Sequence, residues 1–300
     1  MGTVRRATVD DAEAIADVAE AKRALYASYS PLFWRPHPEG RASHLRYVRR
    51  KLANQVVFVH EDDGIVDAYG GGELFPVPAV FGAAGPVCVV DGFATRPELW
   101  PTAGAALLDA IVAAAADAGA SLVAVVSGRD DAPKCAMLER AGLTADSGWH
   151  IRERDRAPAA SLSAGVRPAE PGDTPALLDL ALSRLAPYQR YQPTFLKQAD
   201  ATIGAVRDAN GRIDGFAIGT LETAPPVYDP GGPVLLVGDF LAEQTDGAAL
   251  LEGISQLGEA QGAVLTAVVA GEADATRRQL LAARGFRQAS RWYVRPLQTA

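Results

Sequence analysis

The sequence predicts an α/β protein made of two tandem copies of one unit, each a mixed, mostly antiparallel sheet flanked by helices. Three observations carry this. The first is internal repetition. A slide of 162 residues lays Val4 to Phe33 on Val166 to Phe195 with 12 of 30 positions identical, including Arg5 on Arg167, Asp11 on Asp173 and Tyr26 on Tyr188. A slide of 147 lays Gly64 to Phe93 on Gly211 to Phe240 with 11 of 30 identical, and a slide of 143 lays Ala103 to Arg152 on Asp246 to Arg295 with 20 of 50. Chance agreement at this composition is roughly one position in ten. The second observation is that apolar spacing within a copy switches repeatedly between strand and helix periods. The third is length: 300 residues lie at or beyond the size where one core stops growing.

Taken in order, Thr3 to Thr8 is a short strand, and Asp10 or Asp11 caps a helix whose apolar side carries Ile15, Val18, Ala19 and Leu25. Ser43 to Asn54 makes a second helix. Val56 to His60 and Ile65 to Leu74 flank Glu61-Asp62-Asp63-Gly64, a hairpin signal. Val87 to Ala94 is a third long strand. Gly104 to Ala118 is an alanine-rich helix, Leu122 to Val126 a buried strand, Ala132 to Ala141 a helix ended by Gly142, and Trp149 to Arg152 a last strand.

The changing offset places the length differences. The second copy is 15 residues shorter between positions 33 and 64 and four shorter between Phe93 and Ala103. A small-residue stretch with no periodicity, Arg154 to Gly165, separates the copies as a linker would. The expected division is 1–153, a linker at 154–164, and 165–300.

Composition narrows the function. With 48% hydrophobic and 22% charged residues the chain is globular rather than disordered. Two cysteines, Cys88 and Cys135, build neither a disulfide framework nor a thiolate metal site, so a reducing compartment and no metal are expected. The start has basic residues but no apolar run behind them, and the longest apolar stretch, from Ala110, is broken by Asp117. A cytoplasmic protein without a membrane partner is the expectation. A net charge of -7, shared by both halves, argues against a nucleic-acid partner. A monomer or homodimer is expected.

Several segments, in order and twice, resemble the GNAT acyltransferase superfamily. They are the Val-Arg-x-Ala-x-x-x-Asp opening, the hairpin ending at Gly70-Gly71-Gly72, Phe93-Ala94-Thr95-Arg96-Pro97-Glu98, the helix start Gly104-Ala105-Ala106-Leu107-Leu108, and Leu138-Glu139-Arg140-Ala141-Gly142-Leu143. The resemblance covers nearly all of both copies. It implies acetyl-CoA as cofactor and transfer of an acetyl group to an amine, here a small molecule. The rival reading is a non-catalytic GNAT-fold sensor or interaction protein.

CoA carries a pyrophosphate, for which unpaired amides at a helix N-terminus form a ready site. The resemblance assigns cofactor binding to Phe93, Ala94 and Thr95 through strand amides, and to Trp100, Thr102, Ala103, Gly104 and Ala105 through the loop before the helix. Pro101 removes one donor there, and a plain helix cap accounts for the same residues. The second copy lacks four residues of this loop and has Glu243 and Asp246, which would repel a pyrophosphate. The expectation is one cofactor site, in the first copy. The family's acidic tyrosine is matched by Leu138 and Leu281, and its asparagine by Asp131 and Asp274. Candidate bases are Asp91, taken by strand alternation to share a face with Val89 and Phe93, and Glu73. Tyr29, Trp34 and His37 are candidate substrate contacts, the last two being unique to the longer first copy.

Overall fold

The computed structural model of the chain describes residues 2–76, 85–154, 162–181, 203–242 and 247–297. The first copy forms β1 (Thr3–Arg6), α1 (Ala12–Tyr29), α2 (Gly40–Asn54), β2 (Val57–Asp62), β3 (Ile65–Phe75), β4 (Val87–Thr95), α3 (Ala105–Asp117), β5 (Leu122–Gly128), α4 (Ala132–Arg140) and β6 (Thr144–Glu153). The second forms β7 (Val166–Pro168), β8 (Ile203–Ala209), β9 (Arg212–Glu222), β10 (Val234–Ala242), α5 (Gly247–Ala260), β11 (Leu265–Gly271), α6 (Ala275–Ala283) and β12 (Arg287–Pro296). In the first copy the element order matches the sequence reading. Tyr188, Tyr191, Pro193 and Phe195, most of the linker, and the loop carrying Glu243 and Asp246 lie outside the described residues.

Two compact units form, and they do not coincide with the two halves of the repeat. One consists of Met1–Asp146, Pro225–Asp229 and Ala289–Ala300, the other of Ser147–Ala224 and Pro230–Gln288. The copies have exchanged their last strands. In unit 1 the sheet runs β1-β2-β3-β4-β5-β12, with β12 antiparallel to β5 and Tyr293 opposite Val125. In unit 2 it runs β6-β11-β10-β9-β8-β7, with β6 antiparallel to β11. The division at 153 and 165 therefore cuts across both units. Strand β6 also begins earlier than expected, and Trp149 on it and the aligned Trp292 are half-buried.

Local chemistry explains why the repeated residues are repeated. Arg5 donates two hydrogen bonds of 2.8 Å to Asp11, whose carboxylate also accepts from the Thr8 amide. Arg167 does the same to Asp173, which accepts from the Glu170 amide. Each clasp ties a first strand to the turn that starts the next helical segment. The hairpins turn through Asp63 and Gly64 (φ 50° and 78°) and through Asn210 and Gly211 (φ 58° and 82°), left-handed pairs that glycine in particular allows. Asp131 and Asp274 cap α4 and α6 by accepting from the amides of Lys134 and Arg277.

Each clasp also sets an acid limit. The guanidinium beside it lowers Asp11 from 3.8 to about 2, and Asp173 likewise. A depressed carboxylate contributes stability that is present above the unfolded value and is lost as pH falls through the folded one. Unfolding is expected to become easier between about pH 4 and pH 2. Asp11→Asn should flatten part of that limb and cost about 1–2 kcal/mol at neutral pH, discounted for the partly exposed Arg5. Urea midpoints of wild type and variant across that range check it.

In unit 1 one face of the sheet packs on α3 and α4, burying Phe93, Leu107, Leu108, Val125, Leu138 and Tyr293. The other packs on α1 and α2 through Ile15, Ala19, Val48, Val59 and Tyr69. The helical run Pro97–Asp117 is long and apolar enough by composition to cross a bilayer, and Leu107, Leu108 and Ile111 within it are core residues. Unit 2 buries Leu235, Val237, Phe240, Leu251, Ile254 and Leu281 in the same arrangement.

Candidate functional site

The site of unit 1 begins with a fault in the sheet. Strand β4 pairs with β3 as far as Thr95, but its register shifts between Gly71 and Glu73, where three residues of β4 span two of β3. Its parallel pairing with β5 stops at Val90 and Val125. A bulge bends its strand away from a neighbour. Asp91 to Thr95 therefore turn one backbone edge into a wedge between β4 and β5.

Side chains of the chain itself fill that wedge. Lys134, on the first turn of α4, is fully buried, and its Nζ donates to the Val126 carbonyl at 2.8 Å. It stands 5.2 Å from the ring centroids of both Phe93 and Trp100. Lys22 of α1 enters from the other side and donates to the Phe93 carbonyl at 2.9 Å. Burial pushes the Lys22 ammonium down to about 8 and lowers Lys134 well below its ordinary value. Beneath them Tyr26 donates to Asp131 at 3.0 Å and accepts from the Gly128 amide at 3.0 Å. Asp131 is a helix cap inside this network.

The loop expected to cradle a pyrophosphate is wound into turns, and three of its amides bond within it. A 3-10 turn, Pro97–Leu99, runs into a wide π-type turn, Trp100–Gly104, and then into α3. The amides of Leu99 and Trp100 bond to Arg96 and Pro97 carbonyls, and that of Ala105 bonds to the carbonyls of Trp100 and Thr102. Trp100 is 1% exposed and packs edge-on against Phe93, centroids 4.9 Å apart. Gly104 is glycine because of that indole: a Cβ there would lie 2.5 Å from the Trp100 ring. Among the assigned cofactor residues, Phe93, Ala94, Thr95, Trp100, Ala103 and Gly104 are buried, Ala105 is half-buried and Thr102 is exposed. Acetyl-CoA does not fit these residues as they stand, because Lys134 fills the wedge between β4 and β5 and Trp100 is buried in the loop before α3.

Unit 2 repeats the arrangement. Strand β10 shifts register between Val237 and Asp239, and its pairing with β11 stops at Val237 and Val268. Arg277, the residue aligned with Lys134, donates to the Phe240 carbonyl at 2.9 Å with its guanidinium 4.2 Å from the Phe240 ring. A signal for this was present: a basic residue three places after an aspartate cap in both copies. It went unread because a cation on a helix is usually solvated. Leu138 and Leu281 are fully buried in the two cores.

The expected base residues separate. The bulge breaks strand alternation, so Val90 and Phe93 enter the α3 side of the core together while Asp91 turns to α2. The Tyr47 hydroxyl and Lys51 Nζ both donate to its carboxylate, whose side chain is 38% exposed. Asp91 is thus an ion-paired surface carboxylate, not a buried one on the Phe93 face. Glu73 is half-buried opposite Val89, among the residues lining a pocket of about 350 Å³ with Phe58, Gly72, Cys88 and Ile111.

Of the expected substrate contacts, Tyr29 and Trp34 both pack on Tyr26, whereas His37 bonds elsewhere. Trp34 lies between Tyr26 and Tyr228, centroids 5.3 and 5.2 Å away, and Phe33 packs edge-on at 4.5 Å. Tyr29 is half-buried, its ring 5.6 Å from Tyr26. His37 sits in a turn, its Nδ1 accepting from the Glu39 amide and its own amide donating to Val227. Tyr228 belongs to the Pro225–Asp229 segment, so the second copy supplies part of this wall. Sequence reasoning missed Arg23 and His44. Arg23 is buried and donates to Glu20 at 3.0 Å. His44 is 8% exposed, and its Nδ1 has no partner among the described residues; burial and the nearby Arg23 and Lys22 push it down to about 4, so it is neutral. The Trp34 indole nitrogen is also buried without a partner among the described residues.

No family model matches the sequence, and no curated protein matches it. Solved structures do. The GCN5-related N-acetyltransferase from Sphaerobacter thermophilus superposes with a TM-score of 0.57 at 16% identity, over 98% of this chain and 95% of that one. The tandem GNAT protein from the clavulanic acid biosynthesis pathway superposes with a TM-score of 0.51 at 15% identity, over 99% and 98%. At this identity the likeness is one of fold. The chain has the GNAT fold, twice in tandem.

Proposed function

We propose that the chain is a small-molecule-binding protein on the GNAT fold, its acyl-CoA channels filled by its own side chains and its ligand taken by the aromatic mouth of unit 1. The observation that carries this is the fully buried Lys134 in the β4–β5 wedge, repeated by Arg277 in unit 2. A filled channel in both copies speaks for loss of the cofactor rather than for one retained site. The mouth offers what a ligand needs: aromatic walls from Trp34 and Tyr228, the buried Arg23 cation, and unpartnered nitrogens on His44 and Trp34. The acidic charge and scarce cysteines support a cytoplasmic monomer or homodimer without nucleic-acid or membrane partners.

A second reading, acetyl-CoA-dependent transfer of an acetyl group to a small amine, is favoured by the retained bulge and the free β4 edge at Asp91–Thr95. It requires Lys22 and Lys134 to leave the wedge. Thermal unfolding with acetyl-CoA and with CoA at about 1 mM separates the two. Binding to the folded state at ten times its Kd would stabilise by about 1.4 kcal/mol. No shift is expected; a clear rise in Tm, or turnover releasing free CoA with any amine, overturns the filled-channel reading in favour of the second.

A further inference from the structure

Lysine is rare in this chain: four lysines stand against twenty-five arginines. Three of the four, Lys22, Lys51 and Lys134, converge on the site of unit 1. Lys51 is spent on Asp91. Lys22 and Lys134 hydrogen-bond to each other, and neither forms an ion pair with a carboxylate among the described residues. The nearest carboxylate acting on both is Asp131, whose oxygens are already held by the Tyr26 hydroxyl and the Lys134 amide. Two ammonium groups in that position cannot both stay charged. In unit 2 the aligned residue is Arg277, which keeps its proton at any physiological pH. At this aligned position only unit 1 has an amine that can be neutral.

The two lysines differ in access. Lys134 is fully buried, whereas Lys22 is partly open to solvent at the mouth, its Nζ 4.9 Å from the Tyr26 ring. The charges facing Lys22 are Asp131 and Lys134 from the α4 side, Asp91 from β4 and Arg23 from its own helix. Lys134, the more deeply buried, is lowered further than Lys22, and its side chain is a hydrogen-bond partner that raises Lys22.

We propose that Lys22 is a nucleophilic amine that captures the carbonyl group of a small aldehyde or ketone as an imine. The neutral Nζ adds to the carbonyl carbon, forming a C–N bond as the C–O π pair moves to oxygen. A proton passes from nitrogen to oxygen to give the carbinolamine. Loss of the second N–H proton and of the C–O bond expels water and leaves C=N. No oxidant or reductant is consumed. A desolvated lysine with a cationic neighbour, here Arg23, is a known way to hold an amine in nucleophilic form. This names a ligand class for the mouth and rests on the reading above only for its location.

The full chain, treated with propionaldehyde and cyanoborohydride at about pH 7.5, should gain its alkyl mark at Lys22 roughly tenfold faster than at Lys51 or Lys197. That factor weighs a larger neutral fraction against weaker intrinsic nucleophilicity. The rate at Lys22 should rise to half its maximum near pH 8. Lys22→Arg should stay folded and lose the fast mark. Lys134→Met should move the midpoint downward, because the Lys22 ammonium loses its acceptor. Equal labelling of the lysines, or a midpoint unmoved or raised in Lys134→Met, would overturn the proposal. Protection of Lys22 by CoA would support its place in the wedge while overturning the filled-channel reading, so the two fail separately.

Discussion

Replacing Tyr293 with alanine is expected to cost unit 1 about 3–5 kcal/mol, the range for removing a buried aromatic ring. Tyr293 belongs to the second copy of the repeat, on its last strand. Its ring nevertheless sits fully buried in the core formed by Phe93, Leu107, Val125 and Leu138, and its backbone pairs with β5. Hydrogen exchange reads out the consequence. Amides of α3 and β5 should lose protection strongly in Tyr293→Ala, while those of α5 and β10 should change little. The opposite pattern would mean that each copy keeps its own last strand. Such a loss is a large fraction of the stability of an ordinary domain, so the variant calls for measurement at low temperature.

The second large effect belongs to Trp100→Ala, also about 3–5 kcal/mol. Trp100 stands in the loop that resembles a pyrophosphate cradle, where an exposed side chain would cost almost nothing to remove. In the structure it is 1% exposed, packed on Phe93 and lying over Gly104 and the Lys134 ammonium. A drop of well under 1 kcal/mol in urea unfolding would return Trp100 to the surface and reopen the cradle reading. A converse change, Gly104→Ala, meets the same ring and should destabilise, and in Trp100→Ala the added methyl should be tolerated.

Much of the fold was legible because its signals are local. The slides of 162, 147 and 143 identify the duplication without any coordinates. Identity at Arg5 and Arg167, and at Asp11 and Asp173, marks a clasp that closes within six residues. The Asp63-Gly64 turn follows from backbone chemistry alone, whereas Asp131 and Asp274, matched in the sequence to the family's asparagine, cap α4 and α6, and Asp11, expected as a cap, makes no side-chain cap bond to α1.

The site was less legible, for reasons that particular residues show. Asp91 was assigned a face by strict alternation, and a single bulge in β4 reversed it. Trp100 was assigned to a cofactor loop and Lys134 to no role, because nothing local says that two strands part beside them. His44 and Arg23 carry no motif.

By itself the sequence determined that there are two like copies, which elements the first has and in what order, and where its Asp63-Gly64 hairpin turns. Those depend on contacts a few residues apart, and the chain carries both partners side by side. Only the tertiary structure decided which last strand completes which sheet and what fills the wedge between β4 and β5. Strands β6 and β12 share Ser147 with Ser290, Trp149 with Trp292 and Arg152 with Arg295, so either could pair with β5 or β11 by pattern. The choice rests on summed packing over a whole core, as at Tyr293, and the filling of the wedge rests on desolvating a lysine against two rings. Neither quantity is carried by any one stretch of sequence.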